Sequence, residues 1–277
     1  MLSMWRADSA LSRLNAAAGT GPTGVPREIV EVLSRGLELA ELSAGRYDPT
    51  VGPLVKLWGV GTENPRVPVP AEIARSLALL DWRGVAVDKE ALTVTLPRQG
   101  MMIDFGSQAK GYAAMEAGRI LASRGVKSAI VDLGGCVLAL GSHPSGKPWR
   151  IGVQVPYAQR GAKIVGYFLA RDALVSTSGI YERSFEAEGR TWHHIMDTVT
   201  GYPVENGLVS STVLLNRKEN ADGPSLAALV LGPDAALAFA DRMGAAVVLI
   251  DREKRVRLSA AAKGIFILTD PSFSVIQ

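Results

Sequence analysis

Hydrophobic positions along this chain fall into short runs whose spacing switches between helical and strand-like. Ala7-Asp8-Ser9 ahead of Ala10 to Leu14 reads as a capped helical turn ending near Asn15. After a Gly/Thr/Pro loop over 19–24, Pro26 sits at a first helical position. Ile29, Leu33, Leu37 and Ala40 then share one face of a helix that stops at Gly45. The stretch 46–59, RYDPTVGPLVKLWG, holds two prolines with aromatics towards its ends. Its pattern predicts an irregular loop of the kind that wraps a core or borders a ligand, and the wrapping role suits it better.

A Pro-rich spacer leads to a helix around Ala71 to Leu80, and alternation from Val85 to Leu96 predicts a hairpin turning at Asp88-Lys89-Glu90. Met101 to Ile103 reads as a short strand running into a turn and a long helix that ends near Gly125. Ala129 to Asp132 reads as a strand broken at Leu133-Gly134-Gly135 and continued by Val137 to Gly141. Trp149 to Val155 and Ile164 to Ala170 look like antiparallel neighbours, followed by a strand at Ala173 to Thr177. Beyond Asp222 the pattern gives an apolar helix through Leu231, a second from Pro233 to Met243, and strands at Ala246 to Ile250 and Val256 to Leu258. Strands and helices come in clusters rather than strict alternation, which predicts an α+β fold. No linker, repeat or low-complexity segment divides the chain, so residues 1–277 are expected to form one domain, with two lobes allowed.

Composition narrows the class. Of 277 residues, 47% are hydrophobic and 21% charged, which is globular rather than disordered. A net charge of +3 without a basic cluster gives no case for nucleic acid. Cys136, the single cysteine, excludes an internal disulfide and reads as a small buried filler. No apolar run reaches membrane-span length, and the N-terminus is neither a signal peptide nor a lipoprotein leader, so the compartment stays open.

Three places carry chemistry. Asp104-Phe105-Gly106-Ser107-Gln108-Ala109-Lys110 lies between strand and helix, where free N–H groups and the helix dipole favour an anion. It lacks the Walker spacing, and Asp104 would repel a bare phosphate, so a metal or a ribose fits better. Gly134-Gly135 allows close approach of another segment or a ligand. His193, His194 and Asp197 stand within five positions, an arrangement that serves either a polar hairpin or proton transfer. A serine hydrolase built on Ser178 and His194 is disfavoured because no nucleophile elbow precedes a helix.

Seven stretches then resemble, in order, the ApbE family of FAD:protein FMN transferases. They are SMWRADSALSRLN, RYDPTVGPLVKLWGVG, IDFGSQAKGY, VDLGGCVLALG, STSGIYERSFEAEG, HHIMDTVTGYP and a final Asp-x-x-Ser before a helix. The resemblance spans about Ser3 to Ile250. It implies an α+β, T-fold-related architecture of mixed sheets with packed helices, two lobes lying around an FAD groove. It also implies Mg²⁺-dependent cleavage of the FAD pyrophosphate, attachment of FMN to a Ser or Thr of a target flavoprotein, and release of AMP. Two alternatives share these residues: an FAD pyrophosphatase giving FMN and AMP, and a non-catalytic flavin-binding or delivery protein. Family members are often exported lipoproteins.

By resemblance, Trp5 would lie against the flavin, Arg46, Tyr47 and Asp48 would contact the cofactor, and Asp104 and Lys110 would contact FAD. Met196 would line the site through its backbone. Ser107, Asp222 and Ser225 would face the metal, and hard Mg²⁺ accepts so sparse an oxygen set when phosphate and water complete it. His194 would be the base that takes the acceptor's proton, with Asp222 completing the catalytic pair. His193 would face away from it, since adjacent strand residues point to opposite faces. Asp197 either orients His194 or caps the following turn, the latter being the better reading. Three departures from the family pattern stand out. Thr198 replaces a proline and is expected to loosen its turn, Leu226 replaces a metal-binding threonine after Gly223-Pro224, and the family's opening strand is not seen.

Overall fold

The computed structural model describes residues 1–216 and 223–276 of the chain. They form an α+β protein of mixed, mainly antiparallel sheets with seven helices among the described residues. The chain divides into two compact units, one made of 1–109 with 183–204, the other of 110–182 with 205–277.

The first unit begins with helix α1 (Ala10–Ala16), whose first turn is capped by the Ser9 hydroxyl accepting the Ser12 N–H at 2.9 Å. Strand β1 (Thr23–Gly24) and helix α2 (Arg27–Leu42) follow. Ile29, Leu33 and Ala40 of α2 are fully buried, and the two larger side chains, Ile29 and Leu33, each contribute ~2 kcal/mol by leaving water. Gly36 presses against Gln108, where a Cβ would come within 2.9 Å of Oε1. Helix α3 (Gly52–Trp58) corrects the expectation of an irregular loop at 46–59. Its proline falls in the first turn, where no N–H is missed, and Gly59 closes it at φ +61. The two residue types that argue against a helix interior here mark its two ends.

Helix α4 (Pro70–Leu77) and the hairpin of β2 (Ala86–Asp88) and β3 (Thr93–Thr95) match the pattern. Met101 to Ile103 forms no strand of its own, since only Met102 bridges, in parallel, to Val51. The unit also contains the antiparallel hairpin 184–193. Trp58 and Trp192, with ring centroids 5.2 Å apart, centre its core together with Leu54, Ile73 and Met196.

Helix α5 (Ala109–Ser123) leads into the second unit. Strands β4 (Ala129–Asp132) and β5 (Cys136–Leu140) pair antiparallel. The expected continuation is therefore a reversal, because Gly134 and Gly135 take φ of +71 and +91 and turn the chain back. Strands β6 (Trp149–Gln154) and β7 (Ile164–Ala170) pair antiparallel as expected. Then come β8 (Ala173–Gly179) and, in the first unit, β9 (Ser184–Ala187) with β10 (Arg190–His193). Strand β11 (Leu208–Asn216), helices α6 (Pro224–Leu231) and α7 (Pro233–Met243), and strands β12 (Ala246–Asp251), β13 (Arg255–Leu258), β14 (Phe266–Leu268) and β15 (Ser274–Val275) complete the chain. Seven of these strands form one sheet in the order β15-β13-β12-β11-β8-β5-β4, and β14 joins β7 and β6 in a second. Helix α6 packs on β8 and β11. Cys136 is buried with Ala114, Leu138 and Leu174, in the filler role its surroundings require. No described helix is long and apolar enough to cross a membrane.

Candidate functional site

In the first unit, the loop before α3 is laced to the segment before α5. Gly52 donates to Met102 O at 3.1 Å and Asp104 N–H to Pro49 O at 3.0 Å. A Cβ at Gly52 would stand 2.6 Å from Met102 O, so this approach needs glycine. The lacing brings Tyr47 to Ser107, with the phenol oxygen 3.1 Å from Oγ. Asp48 turns inward instead. Its Oδ1 accepts the Thr50 N–H at 2.7 Å and the Thr50 hydroxyl at 2.6 Å. Burial lifts the Asp48 pKa above the usual carboxylate value, opposed by those two bonds and aided by the charge of Asp81. The carboxylate is thus engaged in holding its own turn. Asp104 accepts the Gly106 N–H at 3.0 Å. Burial raises its pKa as well, while that N–H and the positive charge of Arg183 pull the other way.

The two histidines diverge. His193 is buried, its Nδ1 accepting the Ile195 N–H at 3.3 Å and its Nε2 standing 3.1 Å from Val204 O. A carbonyl only accepts, so Nε2 carries the proton and this imidazole is a neutral structural strut. His194 is half-buried, and its Nδ1 lies 3.2 Å from Arg183 O. Here Nδ1 donates, and the lone pair of the neutral ring falls on Nε2.

Asp197 holds the turn after β10. Its Oδ1 accepts the Val199 N–H at 2.8 Å, and its Oδ2 lies 3.1 Å from the Arg46 guanidinium. Thr198 does not loosen this turn as expected. Its hydroxyl donates to Gly45 O at 2.9 Å, replacing a proline's stiffness with a bond to the α2 exit. Met196 bridges Pro203 through its backbone while its side chain is buried in the tryptophan core. Trp5 lies 51% exposed near the N-terminus.

In the second unit Lys110 donates to Gly134 O at 2.9 Å, at the tip of the β4–β5 hairpin. Ser225, at the start of α6, is buried beneath β8. Its Oγ accepts from Ser176 Oγ at 3.2 Å and pairs with Ser178 Oγ at 3.0 Å. Asp222 lies outside the described residues. Among the described residues no three His, Cys, Asp or Glu side chains gather as a metal cage. Among the described residues the oxygens gathered at Ser225 are hydroxyls, hard and neutral, which fits Mg²⁺ in kind.

Sequence reasoning passed over Arg183, whose carbonyl fixes the His194 tautomer and whose charge acts on Asp104. It also passed over Ser176 and Ser178 as the partners of Ser225. Both serines lie inside the STSGIYER stretch, so the signal was their place in a matched motif.

The sequence model of the ApbE family matches residues 1–249. A Treponema pallidum protein named FAD:protein FMN transferase is 37% identical over 277 residues, covering 94% of this chain and 75% of its own. An Escherichia coli protein of the same name is 31% identical, with 91% and 73% covered. Among solved structures, the ApbE protein of Thermotoga maritima superposes with a TM-score of 0.85 at 32% identity, over 95% of this chain and 85% of that one. The flavinyl transferase ApbE of Pseudomonas stutzeri does so with 0.81 at 33%, over 96% and 83%. With its sequence matched nearly end to end and its fold shared at that level, this chain belongs to the ApbE family.

Proposed function

We propose that this chain is an FAD:protein FMN transferase that joins FMN to a Ser or Thr hydroxyl of a target flavoprotein. Its relatives in Treponema pallidum and Escherichia coli carry that name. The observation that carries the reading is His194, whose Nδ1–H is committed to Arg183 O so that Nε2 is the basic nitrogen.

His194 Nε2 takes the proton of the acceptor hydroxyl, and that oxygen attacks the phosphorus on the FMN side of the pyrophosphate. The new P–O bond forms as the bond to the adenylate oxygen breaks, and AMP leaves with the electron pair. Arg46 and Tyr47 hold the flavin half in this reading, Lys110 lends positive charge, and Trp5 offers a flat face. The proposed metal donors are Ser107, Asp222 and Ser225, and a bound Mg²⁺ would supply charge neutralisation at the pyrophosphate.

Incubation of the chain with FAD, Mg²⁺ and a carrier bearing the acceptor peptide tests this by mass spectrometry. A gain of one FMN, lost with EDTA, is the expected result. AMP without a mass gain would make the chain a pyrophosphatase, and FAD binding with neither product would make it a binding protein.

A further inference from the structure

A second cation, which no motif singles out, stands at the Gly134-Gly135 turn. Arg160 lies on the loop between β6 and β7. That loop is held in shape by Val155 N–H on Lys163 O at 3.1 Å, Ala162 N–H on Gln159 O at 3.0 Å and Gln154 Nε2 on Ala158 O at 2.9 Å. Its base is packed by Tyr157 against Tyr181, ring centroids 5.3 Å apart.

The guanidinium this loop presents lies across both glycines. A Cβ at Gly134 would meet Arg160 Nη1 at 2.9 Å and Lys110 Nζ at 3.8 Å, and one at Gly135 would meet Arg160 Nη2 at 3.4 Å. Two positive groups therefore lie within 4 Å of one point from which the sequence has removed every side chain. Like charges so placed repel unless an anion stands with them. Two carboxylates stand nearby, but loosely: Asp132 accepts the Gly134 N–H at 2.9 Å, and Glu182 forms with Arg160 an exposed ion pair, 3.6 Å from Nη2 and longer than a charged hydrogen bond. Beyond that ion pair Arg160 donates no hydrogen bond among the described residues, so the fork that matches phosphate geometry keeps its donors.

We infer that Arg160 is a phosphate-binding residue, acting with Lys110 over the Gly134-Gly135 turn on the pyrophosphate of the dinucleotide substrate. The inference rests on the transferase reading and adds to it a residue for the anionic part of FAD. It also gives Gly134 a reason beyond turning the chain, since a Cβ there would stand 2.9 Å from Arg160 Nη1 and push the guanidinium aside.

The test compares FAD and riboflavin binding, by flavin fluorescence, in the parent, Arg160→Ala, Arg160→Lys and Arg150→Ala. Arg150 is an exposed arginine of β6 stacked on Tyr167, and its removal controls for net charge. Arg160→Ala is expected to weaken FAD binding on the order of tenfold while riboflavin, which has no phosphate, binds as before. The lysine variant should recover part of the loss, the Arg150 variant should match the parent, and the effect should shrink in high salt. FAD affinity unchanged in Arg160→Ala overturns the inference alone, as does an equal loss for FAD and riboflavin, which would mark a structural role. A parent chain that does not bind FAD overturns the transferase reading and this inference with it.

Discussion

Arg46 and Asp197, 151 positions apart, meet at 3.1 Å between Nη2 and Oδ2, while the other oxygen of Asp197 caps its own turn. One carboxylate thus ties the exit of α2 to the turn that follows His194. Thr198 adds a bond from the same turn to Gly45 O.

Removing that carboxylate leaves a half-buried guanidinium and turn N–H groups without their acceptor. Asp197→Ala is expected to lose ~2 kcal/mol of stability, and Arg46→Ala ~1 kcal/mol because its partner keeps the turn bonds. Urea unfolding of the two variants reads both values, and midpoints equal to the parent's would show the tie to be idle.

His194→Ala is expected to slow FMN transfer by ~10²- to 10⁴-fold with FAD affinity unchanged, since only the proton acceptor is lost. Single-turnover rates and flavin binding measured together check this. Transfer at the parent rate would remove the base assignment.

Asp48 sets a pH dependence. Its folded pKa is raised by burial, so the folded chain holds this proton more tightly than the unfolded one. The resulting stability is present below the unfolded value and is lost as pH rises through the folded value. Asp48→Asn keeps an oxygen for Thr50 and carries no charge, so it should gain stability relative to the parent as pH rises from acid to neutral. Thermal melts across that range decide it, and a difference flat with pH would exclude Asp48 as the cause.

Leu226 is half-buried on α6, one residue beyond Ser225, at the position that the sequence resemblance matches to a metal-binding threonine. Leu226→Thr is expected to lower the Mg²⁺ concentration for half-maximal transfer on the order of tenfold by adding an oxygen donor beside the proposed metal donors. A Mg²⁺ titration of transfer gives the answer, and an unchanged midpoint would mean the missing donor is not limiting.

The sequence by itself determined the α+β class, the family and most element positions. Each of these is written in local spacing, as in Ile29, Leu33 and Ala40 along α2, or in ordered motifs such as HHIMDTVTGYP. Local reading failed where a residue type has two uses. Pro53 and Gly59 suggested a loop because neither favours a helix interior, yet they start and stop α3. Gly134-Gly135 suggested an interrupted strand, but whether a pair of left-handed glycines interrupts or reverses a strand depends on which strand is available to pair. Tertiary structure alone decided the polar partnerships. The carbonyl that sets the His194 tautomer, the hydroxyls that hold Ser225, the carboxylate that receives Arg46 and the guanidinium above Gly134 all come from distant segments. A hydrogen bond or ion pair has no period along a chain, because it is fixed only when packing brings a donor and an acceptor to within about 3 Å of each other.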